Sequence, residues 1–421
     1  QLTVNQRPLN ATLARQYDAT TTAAGSTLSS FDALQGGENL TMSGSGTAAS
    51  KDVANGIAMS SNGNLALADG TGGTAGLASN YSLNSTVINI SKRVLNSSGS
   101  KLYDANTNAL ASAITLSNLA STETLVDSGT ASTSSANAGS YTINNLTGVS
   151  IADGTNGGLA SNYTLTGGTH SFTVNQRPLN ATLARQYDAT TTAAGSTLSS
   201  FDALQGGETL TMSGSGTAAS KDVANGIAMS SNGTLALVDG TGLASNYSLN
   251  STVINISKRV LNSSGSKTYD ANTDALASAI TLSNLASTET LVDSGTASTS
   301  SANAGSYTIN NLTGVSIADG TNGGLASNYT LTGGTHNFTV NRRVVGVSGT
   351  RLYDATTNAA ASDLATHANL VGSQTLTLSG TGTIASKNVG SNKTVSIGTL
   401  ALGNGSNGGL AANYTLTGGT H

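Results

Sequence analysis

Cysteine and tryptophan are absent, proline occurs only at Pro8 and Pro178, and charged residues make up 9% of the 421-residue chain. An ordinary globular domain carries about 25%. Without cysteine there is no disulfide framework, no thiolate nucleophile and no thiolate zinc site. The same absence suits a chain that crosses an envelope unfolded, because no wrong disulfide can form. The few charges sum to a formal -4, which gives no basic face for phosphate backbones and no acidic block for cations. Nucleic acid is therefore excluded as a partner. No uncharged apolar run reaches membrane-spanning length, and Gln1 opens no signal-peptide pattern.

What fills the space is Ser, Thr, Asn and 51 Gly, over a 37% hydrophobic content that suffices for real cores. A Tyr-Asp pair recurs at Tyr17-Asp18, Tyr103-Asp104, Tyr187-Asp188, Tyr269-Asp270 and Tyr353-Asp354. An Asn-Tyr pair closes each unit at Asn80-Tyr81, Asn162-Tyr163, Asn246-Tyr247, Asn328-Tyr329 and Asn413-Tyr414. The period of about 84 residues is too long for one coil of a β-helix and fits a bead that folds alone. Five modules follow, at 7–91 (type A), 92–175 (B), 176–257 (A), 258–341 (B) and 342–421 (C, its last strand missing). Residues 1–6 read as the last strand of a preceding module, since QLTVNQR at 1–7 matches SFTVNQR at 171–177. Both ends are thus expected to lie inside a longer array. The alternation of types keeps look-alike sequences from touching and swapping strands, or it records duplication of a two-module unit.

Within a unit the pattern is β throughout. In the second module the runs 94–103, 114–119, 124–130, 140–151 and 163–174 are rich in Thr, Val, Ile and Leu, and Gly/Asn turns divide them. Residues 108–113 are Ala-rich and suit a single helical turn. The expected fold is all-β: a linear tandem array of five small antiparallel β-modules, an immunoglobulin-like sandwich first and a β-grasp-like sheet second. In 162–188 one strand-like run follows another without a linker, so continuous strands should join neighbours. Strands of about ten to twelve residues at roughly 3.3 Å each make a module about 35–40 Å long, and five on the order of 200 Å.

The Asp of each Tyr-Asp pair fits an Asx-turn that ends the first strand, with the Tyr ring on its own core and the hydroxyl at the edge. The Asn of the closing pair takes a matching turn role. Asp-Gly-Thr loops at Asp69, Asp153, Asp239 and Asp319 raise a calcium alternative, but Asn404 replaces the Asp in the fifth module and no three carboxylates cluster in sequence. No cofactor and no metal are expected. His170, His336 and His421 in GGTH segments read as strand-edge polar residues, and His367 stands alone. There is no nucleophile elbow and no phosphate loop, so no catalytic residue is assigned and no enzyme is expected. Asn-x-Ser/Thr triplets at Asn10, Asn84, Asn96, Asn145, Asn180, Asn250, Asn262, Asn311 and Asn337 follow largely from composition. Glycosylation of a few is the alternative.

The opening K/R-x-Y-D-A-x-T, a mid-unit segment such as GGETL at 206–210 and the closing L-A-S-N-Y-T/S-L together resemble the YDG-type (MBG-like) repeat modules of large bacterial exoproteins. These occur in adhesins of the filamentous haemagglutinin type, exported by two-partner secretion. The resemblance covers essentially the whole chain. One departure is Ala19, Ala105, Ala189, Ala271 and Ala355 where the family's usual Gly follows Tyr-Asp, which argues against a positive φ at that position. The resemblance implies an extracellular, cell-surface location and an outer-membrane secretion partner. The expected function is a stalk or filament segment that gives reach and rigidity in adhesion or biofilm. Further repeat copies, and laterally associated chains, are its expected partners. The alternative is a module that binds a surface glycan or matrix polysaccharide. Against it, all tyrosines but Tyr141 and Tyr307 belong to the signature pairs, which leaves few aromatics to stack on sugars.

Overall fold

The computed structural model describes residues 1–143, 146–419 and 421, apart from the side chains of Asn311 and His367; Asn145 lies outside the described residues. The described residues form strands and single 3-10 turns, with no α-helix among them. No helix is long and apolar enough to cross a membrane. By contacts the chain divides into two units. One comprises Gln1–Asn180, Phe201–Thr211 and Leu237–Ser251, and the other Ala181–Ser200, Met212–Ala236 and Thr252–His421.

The first module begins with Arg7–Gln16 (β1), in which Leu9, Ala11 and Leu13 turn inward on the period-two alternation of a strand. Thr22–Ala24 (β2), Leu28–Phe31 (β3), Thr41–Ser43 (β4), Ser45–Ala48 (β5), Ala54–Ser61 (β6), Ala66–Ala68 (β7) and Tyr81–Ser91 (β8) follow. Their sheet order is β2-β5-β6-β8-β1-β3, with β4 and β7 paired as a separate ribbon. The core lies between sheet and ribbon, where Leu13, Ile88 and Ile90 meet Met42 and Leu67.

At the centre, β1 and β8 pair in parallel from Arg7↔Tyr81 to Gln16↔Ser91. An irregularity at Leu9/Asn10 shifts the phase of β8, which buries Tyr81 at one end and Thr86, Ile88 and Ile90 at the other. The modules are all-β as expected, but not antiparallel throughout: first and last strands run side by side in the same direction. The consequence is directional. The chain enters a module at one end of β1 and leaves it at the opposite end of β8.

In the second module the strands are Arg93–Val94 (β9), Asn96–Leu102 (β10), Asn108–Leu110 (β11), Ile114–Ser117 (β12), Leu125–Ser132 (β13), Gly139–Thr142 (β14), Val149–Asp153 (β15), Tyr163–Thr164 (β16) and His170–Asn175 (β17). The run 108–113 is half strand and half 3-10 turn, Ala111–Ala113. The run 140–151 contains two strands, and the run 163–174 is broken after Thr164. Gly168 explains that last break, because a Cβ there would stand 1.8 Å from the Leu95 carbonyl oxygen. β17 is an interior strand of the sheet β12-β10-β17-β14, parallel to β10 and antiparallel to β14.

β17 passes into Arg177–Gln186 (β18) after Gln176 alone. Lys92, Lys258 and Arg342 are the matching single residues at the other joins. Residues 1–6 are not in a strand and leave Leu2 and Val4 exposed.

Candidate functional site

The two signature tyrosines of a module do not meet each other; each meets its counterpart in the neighbouring module. Tyr17 of the first module and Tyr163 of the second are T-shaped, with ring centroids 5.4 Å apart. Both rings are buried. Between them lies Glu123, also buried, whose Oε1 accepts from the Tyr17 hydroxyl and Oε2 from the Tyr163 hydroxyl, each at 2.6 Å. Lys51 of the first module reaches the same Oε1 at 2.9 Å and passes over the Tyr17 ring. Asn162 Oδ1 accepts the Val53 amide at 2.9 Å, and its Nδ2 donates to Asp52. Arg93, just past the join, donates to the Tyr17 carbonyl at 3.3 Å and to Asn118.

The third and fourth modules repeat this arrangement in Tyr187, Tyr329, Glu289, Lys221 and Asn328, with centroids 5.5 Å apart. Where the second module meets the third, Tyr103 and Tyr247 share Glu208 without a lysine, and Asn246 accepts the Ala138 amide. Where the fourth meets the fifth, Tyr269 and Tyr414 share the neutral Gln374, and Asn413 accepts the Ala304 amide. Each of these joints lies within one of the two units. The turn role expected of the Asn is corrected, and the reach of the Tyr hydroxyl is an addition. The Tyr17 and Tyr103 rings do pack against their own modules' cores, but their hydroxyls reach into the neighbouring module, and the Asn of Asn-Tyr clamps the neighbouring module's backbone. Tyr81 donates to Glu38 Oε2 at 2.6 Å, whereas Tyr353 is 59% exposed.

Burial opposes the charge on Glu123, but the hydrogen bonds from Tyr163, Tyr17 and Lys51 outweigh it and hold the carboxyl below the usual carboxylate range; Glu289 behaves alike. Burial and the same carboxylates push Tyr163 and Tyr329 up to about 12. The hydrogen bond to Glu123 raises Lys51. The bonding capacity at the centre of the joint is thus used up within the protein. That makes it a lock between neighbouring modules.

The signature Asp residues do form Asx-turns. Asp18 accepts the Thr20 amide at 2.9 Å and pairs with Arg15, and Asp188 pairs with Arg185. Asp104, Asp270 and Asp354 accept from Asn106, Asn272 and Thr356 and pair with Lys101, Lys267 and Arg351. In that turn Ala19, Ala105, Ala189, Ala271 and Ala355 all take φ between 61° and 65°. The expectation against a positive φ is therefore wrong: the Asp side chain holds the turn left-handed although the residue is Ala.

Asp69, Asp153, Asp239 and Asp319 each accept one backbone amide of the 3-10 turn that follows, and Asn404 does the same at 2.8 Å. A neutral amide thus takes the same loop-clamping hydrogen bond as the carboxylates. Among the described residues no group of three or more His, Asp or Glu is placed to hold a metal ion. His170 and His336 are buried, not at a strand edge: Nε2 faces the Leu165 or Leu331 carbonyl at 2.7 Å, and Nδ1 faces the Ser97 or Ser263 hydroxyl at 3.0 Å. In the fifth module Val347 replaces that serine, and His421 Nδ1 is left buried without a partner. Sequence reasoning missed Glu123, Glu208, Glu289 and Gln374. Their signal was the recurrence of Glu or Gln about 40 residues before each closing Tyr.

The fold and joints define an all-β protein of tandem modules. A family model, the YDG domain, matches residues 2–88, 91–171, 174–254, 257–336 and 339–421, and the chain belongs to that family. No curated protein matches it.

Proposed function

We propose that this chain is a repetitive stalk or filament segment of a secreted, cell-surface bacterial adhesin of the filamentous haemagglutinin, two-partner secretion type. The observation that carries the reading is the pairing of β1 with β8 in parallel, followed by a buried joint. Each module hands the chain from one end to the other, over about 33 Å for a ten-residue strand, and the next module locks onto the exit. Reach then grows with copy number, and a pull along the chain loads modules one at a time. No reaction is assigned to it.

The glycan-binding alternative finds little support in the aromatics left outside the signatures. Tyr141 and Tyr307 are half-buried, and their hydroxyls donate to the Asn137 and Asn303 carbonyls of their own loops. Antibodies raised to the chain, applied to intact bacteria that make it, test the proposal. Surface labelling that is removed by external protease supports it, and labelling only after lysis overturns it. Saturable binding on a glycan array would favour the alternative.

A further inference from the structure

We propose that Lys51 and Lys221 decide which kind of module can follow theirs. The exit face of a type A module accepts an entry face that sets a carboxylate between the two joint tyrosines, and rejects one that sets a neutral amide there. Lys51 Nζ stands 2.9 Å from Glu123 Oε1, and Lys221 Nζ 3.0 Å from Glu289 Oε1. Each lysine side chain is 33% exposed, but each carboxylate only 2%. At the type B exits the lysine's place, two residues before the amide that the closing Asn clamps, is held by Ala136 and Ala302. The entry faces that meet these alanines carry Glu208, which is half-buried, and the neutral Gln374. Lysine thus occurs where the shared acceptor is a fully buried carboxylate, and not where it is partly solvated or uncharged.

The match has a physical basis on both sides. A carboxylate taken out of water is costly unless a cation and hydrogen bonds replace the water. Two tyrosine hydroxyls serve Glu123 and also Glu208, so the hydroxyls are common to both kinds of joint and the cation is what differs. The entry loop of a type B module leaves room for it. At Gly157, with φ 83°, an added Cβ would stand 3.2 Å from Lys51 Nζ, and at Gly323, with φ 87°, 3.4 Å from Lys221 Nζ. The ammonium groups also lie over the Tyr17 and Tyr187 rings, 5.8 and 5.7 Å from their centroids.

Gln374 presents the opposite chemistry at the same place. The Oε1 of Glu123 takes both Lys51 and the Tyr17 hydroxyl of the preceding module. At Gln374 the atom facing the preceding module's Tyr269 is Nε2, which donates to the Tyr269 hydroxyl at 3.0 Å, while Oε1 accepts from Tyr414. Set after a type A exit, this amide would turn an N–H donor towards an ammonium. Unpaired charge of that kind separates a wrong partner from a right one more sharply than any gain in contact. The fifth module accordingly follows an exit that carries Ala302.

Hydrogen exchange on the whole chain tests the inference at the Val53 and Ala304 amides, which donate across their joints to Asn162 and Asn413. K51A strips Glu123 of its cation, and exchange at Val53 should quicken by roughly a hundredfold. E123Q should quicken it as well, because Lys51 then meets an amide. The double variant K51A/E123Q reproduces the Ala and Gln pairing found where the fourth module meets the fifth, and should regain most of the lost protection. In the other direction A302K should quicken Ala304, and A302K/Q374E should restore it. Recovery by a second substitution cannot come from a chain that has merely lost its fold. Single variants that leave the two amides unchanged, or double variants whose effects are the sums of the singles, would overturn the inference. Such a result would leave the stalk reading standing, because that reading rests on strand direction and on a buried joint of either kind.

Discussion

Replacing Tyr17 by Phe removes one hydroxyl from the first joint and leaves both rings in place, so it isolates the hydrogen bond to Glu123. The acceptor is a buried carboxylate, and bonds to charged groups contribute about 1.5–3 kcal/mol. Lys51 remains on the same oxygen at 2.9 Å, so the lower half applies and we expect about 2 kcal/mol. The reporter is the Val53 amide, which donates across the joint to Asn162. If the joint opens as a unit, its exchange with solvent should accelerate roughly thirtyfold, at a factor of ten per 1.4 kcal/mol. The control is Tyr269→Phe, where the partner is the neutral Gln374. About 1 kcal/mol is expected there, and the Ala304 amide should quicken only about fivefold. Hydrogen exchange on the intact chain, read residue by residue, measures both. Unchanged exchange at Val53, or equal acceleration at Val53 and Ala304, would refute the ranking of joints by the charge of the shared acceptor.

Acid should open the joints selectively. The Glu123 and Glu289 carboxyls are held below their usual 4.5, so the stability they add is present above that value and is lost as pH falls through the depressed folded pKa. Val53 and Val223 should lose protection on acidification while Ala304, over Gln374, keeps it; equal loss at all three would count against the assignment. At the alkaline end Tyr163 and Tyr329, raised to about 12, add stability that is full below pH 10 and disappears as pH rises through about 12, which an absorbance titration of phenolate follows. Changing Ala19, Ala105, Ala189, Ala271 and Ala355 together to Gly relieves a left-handed residue in each module, worth about 1–2 kcal/mol, against about 0.4–1 kcal/mol of added chain entropy. A higher melting midpoint is expected, and a lower one would mean that the Asp turn carries no strain. Gly168→Ala drives a Cβ into the Leu95 carbonyl and should cost about 1–3 kcal/mol or more. Wild-type exchange at Ser97 and Ile143 would contradict it.

Much of this architecture was legible in the residues. The Tyr-Asp and Asn-Tyr recurrences set the number of modules, the alternation in 7–16 set β1, and the Asp after each Tyr announced its turn. What the sequence hid is which copy a residue touches. In a tandem repeat Tyr17 has two equivalent candidates, Tyr81 of its own module and Tyr163 of the next, and periodicity treats them alike. The true partner Glu123 lies 106 residues away, beyond the reach of any local pattern. The parallel pairing of β1 with β8 was hidden for the same reason, because alternation reports which face is buried and not which neighbour runs alongside. Ala19 misled because a residue-level preference against positive φ was outbid by Asp18, whose carboxylate closes the turn from outside the backbone.

The sharing of one acceptor between two tyrosines bears on how such a chain can change length. The first and third modules present nearly the same exit face, as do the second and fourth, so removing or adding an A-B pair leaves every surviving contact between the partners it already had. Excising one module by itself would instead set a face against a stranger. Copy number is therefore free to drift in steps of two, and recombination could lengthen or shorten the array without setting unlike faces against each other.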